Sequence, residues 1–177
     1  MERRLLPAEH AVLAMLREGP MHGYEMARLF ESPELQLICP VEQSSLYTYL
    51  RNLEAPGFVT WSERRVGARP PRKMYELTEV GRAEVERWLR TAVERLREVR
   101  MDFLLKLFFL RQFDREAELQ LIQDQIDVCE RYLQSLDAVE VVSEFHMLAL
   151  DSKRSAAVGT LNWLRTYIQQ AMLEATK

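Results

Sequence analysis

The sequence predicts a mainly α-helical protein with one small β-hairpin, an N-terminal winged helix-turn-helix followed by a C-terminal helical dimerisation region. Three observations carry this expectation. All seven prolines lie at or before Pro71, so the first part is punctuated into short elements. Two strand-like runs, 58–65 and 72–78, flank the basic segment "VGARPP". No glycine occurs between Gly81 and Gly159, so the remainder reads as long helices. The change is placed at Thr78, giving domains over 1–78 and 79–177.

The elements follow in order. A first helix runs from about Ala8 to Arg17, with Ala11, Val12, Met15 and Leu16 in a stripe that Gly19-Pro20 ends. A second short helix spans Gly23 to Phe30. "ESPELQLICP" is a weakly patterned connection. The third helix, Glu42 to Glu54, sets Leu46, Leu50 and Leu53 on one face; Ser44, Ser45, Tyr47, Thr48, Arg51 and Asn52 lie on the other. Pro56 and Gly57 suit the centre of a type II turn before the hairpin. Three short helices and a hairpin in this order make a winged helix-turn-helix, although the connection between its second and third helices is longer than usual.

Thr78 is the expected N-cap of a fourth helix carrying Val85, Trp88, Leu89, Ala92, Leu96 and Val99 on one face. "MDFLLKLFFLRQF" is apolar on almost every side, which predicts a buried helix. The next helix, about Arg115 to Val139, carries Leu119, Ile122, Ile126, Cys129, Leu133 and Leu136 at heptad spacing. A last helix repeats the pattern with Ala157, Leu161, Leu164, Ile168 and Ala171. Such seams close a bundle within one chain or join two chains. The length of the helical arm favours a dimer, with Leu119, Ile122, Ile126, Leu133, Leu136, Leu161, Leu164 and Ile168 as its contacts.

Composition narrows the function. Apolar residues at 47% and charged residues at 29% belong to an ordinary globular chain of 177 residues. "MERRLLPAEH" lacks the apolar core of a signal peptide, and Phe103 to Leu110 is too short to span a bilayer, so a cytoplasmic protein is expected. Cys39 and Cys129, far apart and outside any CxxC, read as two reduced thiols. The three histidines are scattered and no GxSxG, HExxH or phosphate-cradling glycine loop occurs. No catalytic residue, metal site or cofactor is therefore expected. Carboxylates in the second half read as solvated helix charge.

Charge is the more informative signal. The chain carries net −3, yet Ser62 to Lys73 hold five basic groups against Glu63 alone. If the strands pair, Arg64, Arg65, Arg69, Arg72 and Lys73 form a wing suited to phosphates, with Gly67 at its turn and Pro70-Pro71 stiffening the return strand. On the third helix, Ser and Thr can bond phosphates or base edges, Arg can fork onto guanine and Asn can pair with adenine. That face is equally the wet side of an amphipathic helix, and Glu42 near its start repels phosphate. The adjacent wing tips the reading to double-stranded DNA as partner. An adaptor that keeps the winged helix but binds protein instead is the competing reading.

The segments "LREGPMHGYEMARLF", "SSLYTYLRNLEAPGFV" and "RPPRKMYELTEVGRAEVERWL" resemble the PadR family of bacterial transcriptional regulators, in order and at that family's spacing. The long helical C-terminus resembles its subfamily with an extended dimerisation region. The resemblance implies a homodimeric winged-helix repressor of neighbouring genes that often answers to small aromatic or hydrophobic effectors. It puts Ser44, Ser45, Tyr47 and Thr48 at the start of the recognition helix, with Arg51 further along the same face. It puts Arg64, Arg65, Arg69, Arg72 and Lys73 in the wing. His22, Gly23 and Tyr24 match the second-helix motif, where His22 and Tyr24 are assigned packing roles. For the effector it leaves aromatic candidates, Trp88, Phe108 and Trp163 foremost, with Trp61, Phe103, Phe109 and Met147 behind them.

Overall fold

Helix α1, Pro7–Met15, begins with Pro7 in its first turn, where the missing N–H costs nothing. Glu9 folds back so that the Leu6 N–H donates to Oε2 at 2.9 Å. The helix is buried along almost its whole length, with Ala11, Val12, Leu13 and Ala14 sealed from solvent, because other helices pack around it. The computed structural model describes residues 4–64 and 72–175, and it divides into two units, one ending at Leu89 and the other beginning at Arg90.

In the first unit, β1 (Met21–His22) precedes α2 (Gly23–Phe30). The "connection" that follows contains a helix, α3 (Pro33–Ile38), capped by Ser32, whose Oγ accepts the Leu35 N–H at 3.4 Å. Six residues are too few to show a stripe, but Leu35 is buried, and α3 fills the long gap between the two helix-turn-helix partners. Helix α4, Gln43–Glu54, buries Leu46, Leu50 and Leu53 as the spacing predicts. The hairpin is β2 (Val59–Arg64) and β3 (Arg72–Leu77), antiparallel with Trp61 opposite Tyr75 and Arg64 opposite Arg72. A third strand escapes the sequence reading: β1 pairs with the other edge of β3, Met21 against Tyr75. Two residues carry too little alternation to be seen.

Helix α5, Glu79–Leu89, belongs to this unit, so the division falls after Leu89 and not at Thr78. The reason is packing on α1. Val85 and Leu89 are fully buried, and His10 stacks on Trp88 with ring centroids 4.8 Å apart. His10 Nε2 donates to Glu84 Oε1 at 3.0 Å, and Arg17 Nε donates to Glu86 at 2.6 Å. The entry to α5 is equally tight. Thr78 Oγ1 donates to the Gly57 carbonyl at 2.6 Å and accepts the Gly81 N–H at 3.0 Å. Gly57 makes the turn at φ +77°. A Cβ on Gly81 would fall on the Phe58 carbonyl, so the helix can approach that backbone only without one.

The second unit corrects a continuous helix from Thr78 to Val99. The chain leaves helical geometry after Leu89 and re-enters it at α6 (Leu96–Glu98). The break is stabilised by Gln125, itself buried, which accepts the Val93 N–H at 2.8 Å and donates to its carbonyl at 2.9 Å. A π-helical turn, Val99–Phe103, leads into α7 (Leu104–Phe113). Lys106, buried in this apolar helix, donates to the Thr91 carbonyl at 2.7 Å and pairs with Asp102 at 3.4 Å. Asp114 caps α8 (Arg115–Asp137) by accepting the Ala117 N–H at 3.0 Å. Helix α9 runs Glu144–Ala175.

The heptad seam is used inside the chain. Helices α8 and α9 pack on each other, burying Ile122, Ile126 and Leu136 of one and Leu161, Leu164 and Ile168 of the other. Leu119 and Leu133 are half-buried. Six of the eight residues expected at a dimer contact are thus buried within one chain, beside a partner helix that follows directly in sequence. Glu118, fully buried on α8, accepts the Tyr167 hydroxyl at 2.6 Å and is paired with Arg115. Burial and the Glu118 carboxylate push the Tyr167 phenol above its usual range, against the opposing pull of Arg111.

Candidate nucleic-acid interface

The face of α4 opposite its leucines is built from residues at helical spacing. Ser44, Tyr47, Thr48 and Arg51 are exposed, and Ser45 is half-buried. Arg51 Nη2 donates to Thr48 Oγ1 at 3.1 Å, and Thr48 Oγ1 donates to the Ser44 carbonyl at 3.3 Å. The free side of that hydroxyl cluster points to solvent. Asn52 does not join it. Its Nδ2 donates to Glu9 Oε1 at 3.1 Å, so this amide ties α4 to α1 and is lost to base readout.

The hairpin divides its cations between two faces. Side chains alternate along a strand, so Trp61, Lys73 and Tyr75 share one face and Arg64 and Arg72 the other. The first face turns to α4: Trp61 Nε1 donates to Glu54 Oε1 at 2.7 Å, and Lys73 Nζ lies 3.6 Å over the Trp61 ring. Arg64 and Arg72 stand directly opposite one another, both exposed. Like charges so paired repel, an arrangement that favours a bound anion between them. Arg65 and Arg69, with Gly67 and Pro70-Pro71, lie outside the described residues.

Between the start of α2, the exposed side of α4 and strand β3 lies a groove of about 840 Å³. It is lined by His22, Gly23, Tyr24, Tyr47, Arg51, Glu54, Arg72, Lys73 and Tyr75. His22 Nδ1 donates to the Lys73 carbonyl at 3.0 Å, which pins the beginning of α2 to the wing. Burial raises the Tyr75 phenol pKa, and Glu54 and Tyr47 add to the effect while Arg51 opposes it. Tyr24, over half exposed, and Tyr75 are the groove residues that a helix-face argument misses. The "HGYE" motif was the available signal for Tyr24, and the segment "RPPRKMYELTEV" the one for Tyr75.

The effector candidates fall in both units, Trp88 in the first and Phe108 and Trp163 in the second. Trp88 is closed into the core of the first unit against His10. In the second unit, Phe108 packs edge-on to Phe109 at 5.1 Å, whereas Trp163 meets Phe103 edge-on at 6.3 Å and leans on Tyr167. Trp163 is 39% exposed and Phe108 half-buried.

The description "Transcriptional regulator PadR-like family" matches residues 12–87, and "Virulence activator alpha C-term" matches residues 99–171. The "Negative transcriptional regulator PadR" of Bacillus subtilis (strain 168) is 30% identical over 128 residues, 72% of this chain and 70% of that one. The chain belongs to the PadR-like family. Like other members it is a DNA-binding transcriptional regulator and not an enzyme. Among similar solved structures is Bacillus subtilis PadR in complex with operator DNA, 25% identical, covering 93% of this chain and 98% of that one, with a TM-score of 0.48. Another is the same protein in complex with p-coumaric acid, 25% identical, covering 94% and 99%, with a TM-score of 0.44. Among the described residues no helix is long and apolar enough to cross a membrane.

Proposed function

We propose that this PadR-family regulator is a homodimeric, cytoplasmic repressor that reads a two-fold-related operator with α4 and the basic wing. The observation that carries the reading is the adjacency of two surfaces in one unit. Ser44, Tyr47, Thr48 and Arg51 stand beside a strand pair bearing Arg64, Arg72 and Lys73. The helix supplies groups that read base edges, and the wing supplies phosphate contacts whose counterions are released on binding. Ser45, Arg65 and Arg69 complete the set by their place in the sequence. Repression is supported by the related negative regulator of Bacillus subtilis.

The dimer contact is assigned to the outer surface of the second unit, since the heptad seam is filled. From Asp137 to Ala156 no residue is buried, and Val141, Val142, Phe145, Met147 and Leu148 are exposed there. So much apolar surface on one segment needs a cover, and a second copy also supplies the second half-site reader. The effector is a small aromatic or hydrophobic compound, with Trp163 the most exposed ring of the candidates Trp88, Phe108 and Trp163. The bound p-coumaric acid of the Bacillus subtilis protein is of this class.

A mobility shift with the DNA upstream of its own gene tests the reading. Complex formation at low salt is expected, and absence of any shift there overturns it. Replacing both Arg64 and Arg72 by Glu should weaken binding to all sequences by about a hundredfold and lower the salt slope by about 2. The same preparation should sediment as a dimer, and Phe145→Ser with Leu148→Ser should move it toward monomer.

A further inference from the structure

The first residue of α2 is a glycine that no backbone conformation requires: Gly23 lies outside the positive-φ glycines, which are Gly19 and Gly57. Its reason is steric. A Cβ built there would sit 2.9 Å from Tyr47 Cε1 and 3.4 Å from both Cζ and the hydroxyl oxygen. The neighbour is thus one ring edge belonging to α4, lying across the opening turn of α2. That ring is 38% exposed, and it lines the groove shared with Arg51, Arg72 and Lys73.

We propose that Gly23 is a positioning residue for DNA binding: by lacking a side chain it lets the edge of the Tyr47 ring lie against α2, so that its hydroxyl donates to a backbone phosphate held in the groove between α2, α4 and β3. The proposal rests on the reading of α4 as the DNA-facing helix. Three features of the groove fit a phosphate. Arg51 and Lys73 supply cations, and Arg72, on the opposite face of the hairpin, borders it. The start of α2, a helix end favourable to anions, lines it through His22, Gly23 and Tyr24. Glu54, the one acid in the lining, is occupied by the Trp61 indole at 2.7 Å. His22 holds the α2 side of the groove at a fixed distance from the wing through the Lys73 carbonyl.

The chemistry of an added methyl separates this role from a structural one. At 2.9 Å the obstacle is a side chain that can swing away, so alanine at position 23 displaces Tyr47 and leaves the backbone where it is. Alanine is also the better helix former. Binding and stability should therefore move in opposite directions.

The test is a double-mutant cycle on the full chain, using the duplex upstream of its own gene and an unrelated duplex of equal length. Gly23→Ala should weaken binding to both duplexes by about tenfold, the scale of one lost charged hydrogen bond, with the melting temperature unchanged or raised. Tyr47→Ala should weaken binding similarly, and Gly23→Ala added to Tyr47→Ala should do nothing more. Full affinity in Gly23→Ala, an equal further loss in the Tyr47→Ala background, or a loss confined to one duplex overturns the proposal. Weakened binding in Arg51→Ala with none in Tyr47→Ala overturns the Gly23–Tyr47 link alone. No weakening in any of these variants overturns the reading of α4 itself.

Discussion

The two units carry almost the same net charge and use it differently. Up to Leu89 there are 12 basic and 13 acidic residues; from Arg90 onward there are 12 and 14. In the first unit the cations Arg51, Arg64, Arg72 and Lys73 collect around a groove and a hairpin, and acids such as Glu9, Glu84 and Glu86 are spent on holding α1 against α4 and α5. In the second unit Arg115 and Arg111 gather around a buried acid, Glu118, while Val141, Val142, Phe145, Met147 and Leu148 leave apolar surface exposed. Net charge alone would have called both units neutral. What distinguishes the first unit is the local clustering of its cations at the hairpin and the groove, which net charge does not reveal.

The sharpest test of the division is to destabilise one unit alone. Gly81→Ala drives a methyl into the Phe58 carbonyl, a backbone group that cannot step aside, and should cost the first unit about 3 kcal/mol. Two separate transitions in thermal unfolding, only the first shifted, is the expected outcome; a joint shift would show that the units unfold as one. Arg115→Met probes the other side. It leaves the buried Glu118 carboxylate short of its charge partner and should cost the second unit up to about 3 kcal/mol, with DNA binding by the first unit retained.

The smallest effect is one of pH. Burial alone would raise the Glu84 carboxyl, but hydrogen bonds from Arg87 and His10 hold it below the usual range. A carboxylate with a lowered folded pKa contributes stability above its unfolded pKa and loses it as pH falls through the folded one. The first unit should therefore weaken on acidification below the ordinary carboxylate range, and Glu84→Gln should flatten that part of the curve. Chemical denaturation followed across that range measures both.

Legibility differed between elements for a physical reason. Helix α2 and the leucine face of α4 were readable because Leu46, Leu50 and Leu53 pack at the spacing that makes a stripe visible. Strand β1 and helix α3 were not, since they are shorter than one period of any pattern and exist through partners in β3 and the core. Asn52 looked like a base reader because helix position cannot reveal that Glu9 waits buried on α1. The end of α5 was equally hidden: the residue that stabilises the break, Gln125, lies far along the chain.

By itself the sequence determined the order of elements, the concentration of cations between Arg64 and Lys73, and motifs dense enough to identify a PadR-family regulator. These are local properties, written in neighbouring residues. The tertiary structure decided which copies of a repeating pattern meet. A heptad seam states that apolar residues need a partner helix, not whose helix it is, and here α9 reached α8 first. It also decided which polar residues remain at the surface, since Asn52 and Arg51 are adjacent in sequence and only packing sends one to Glu9 and leaves the other at the groove.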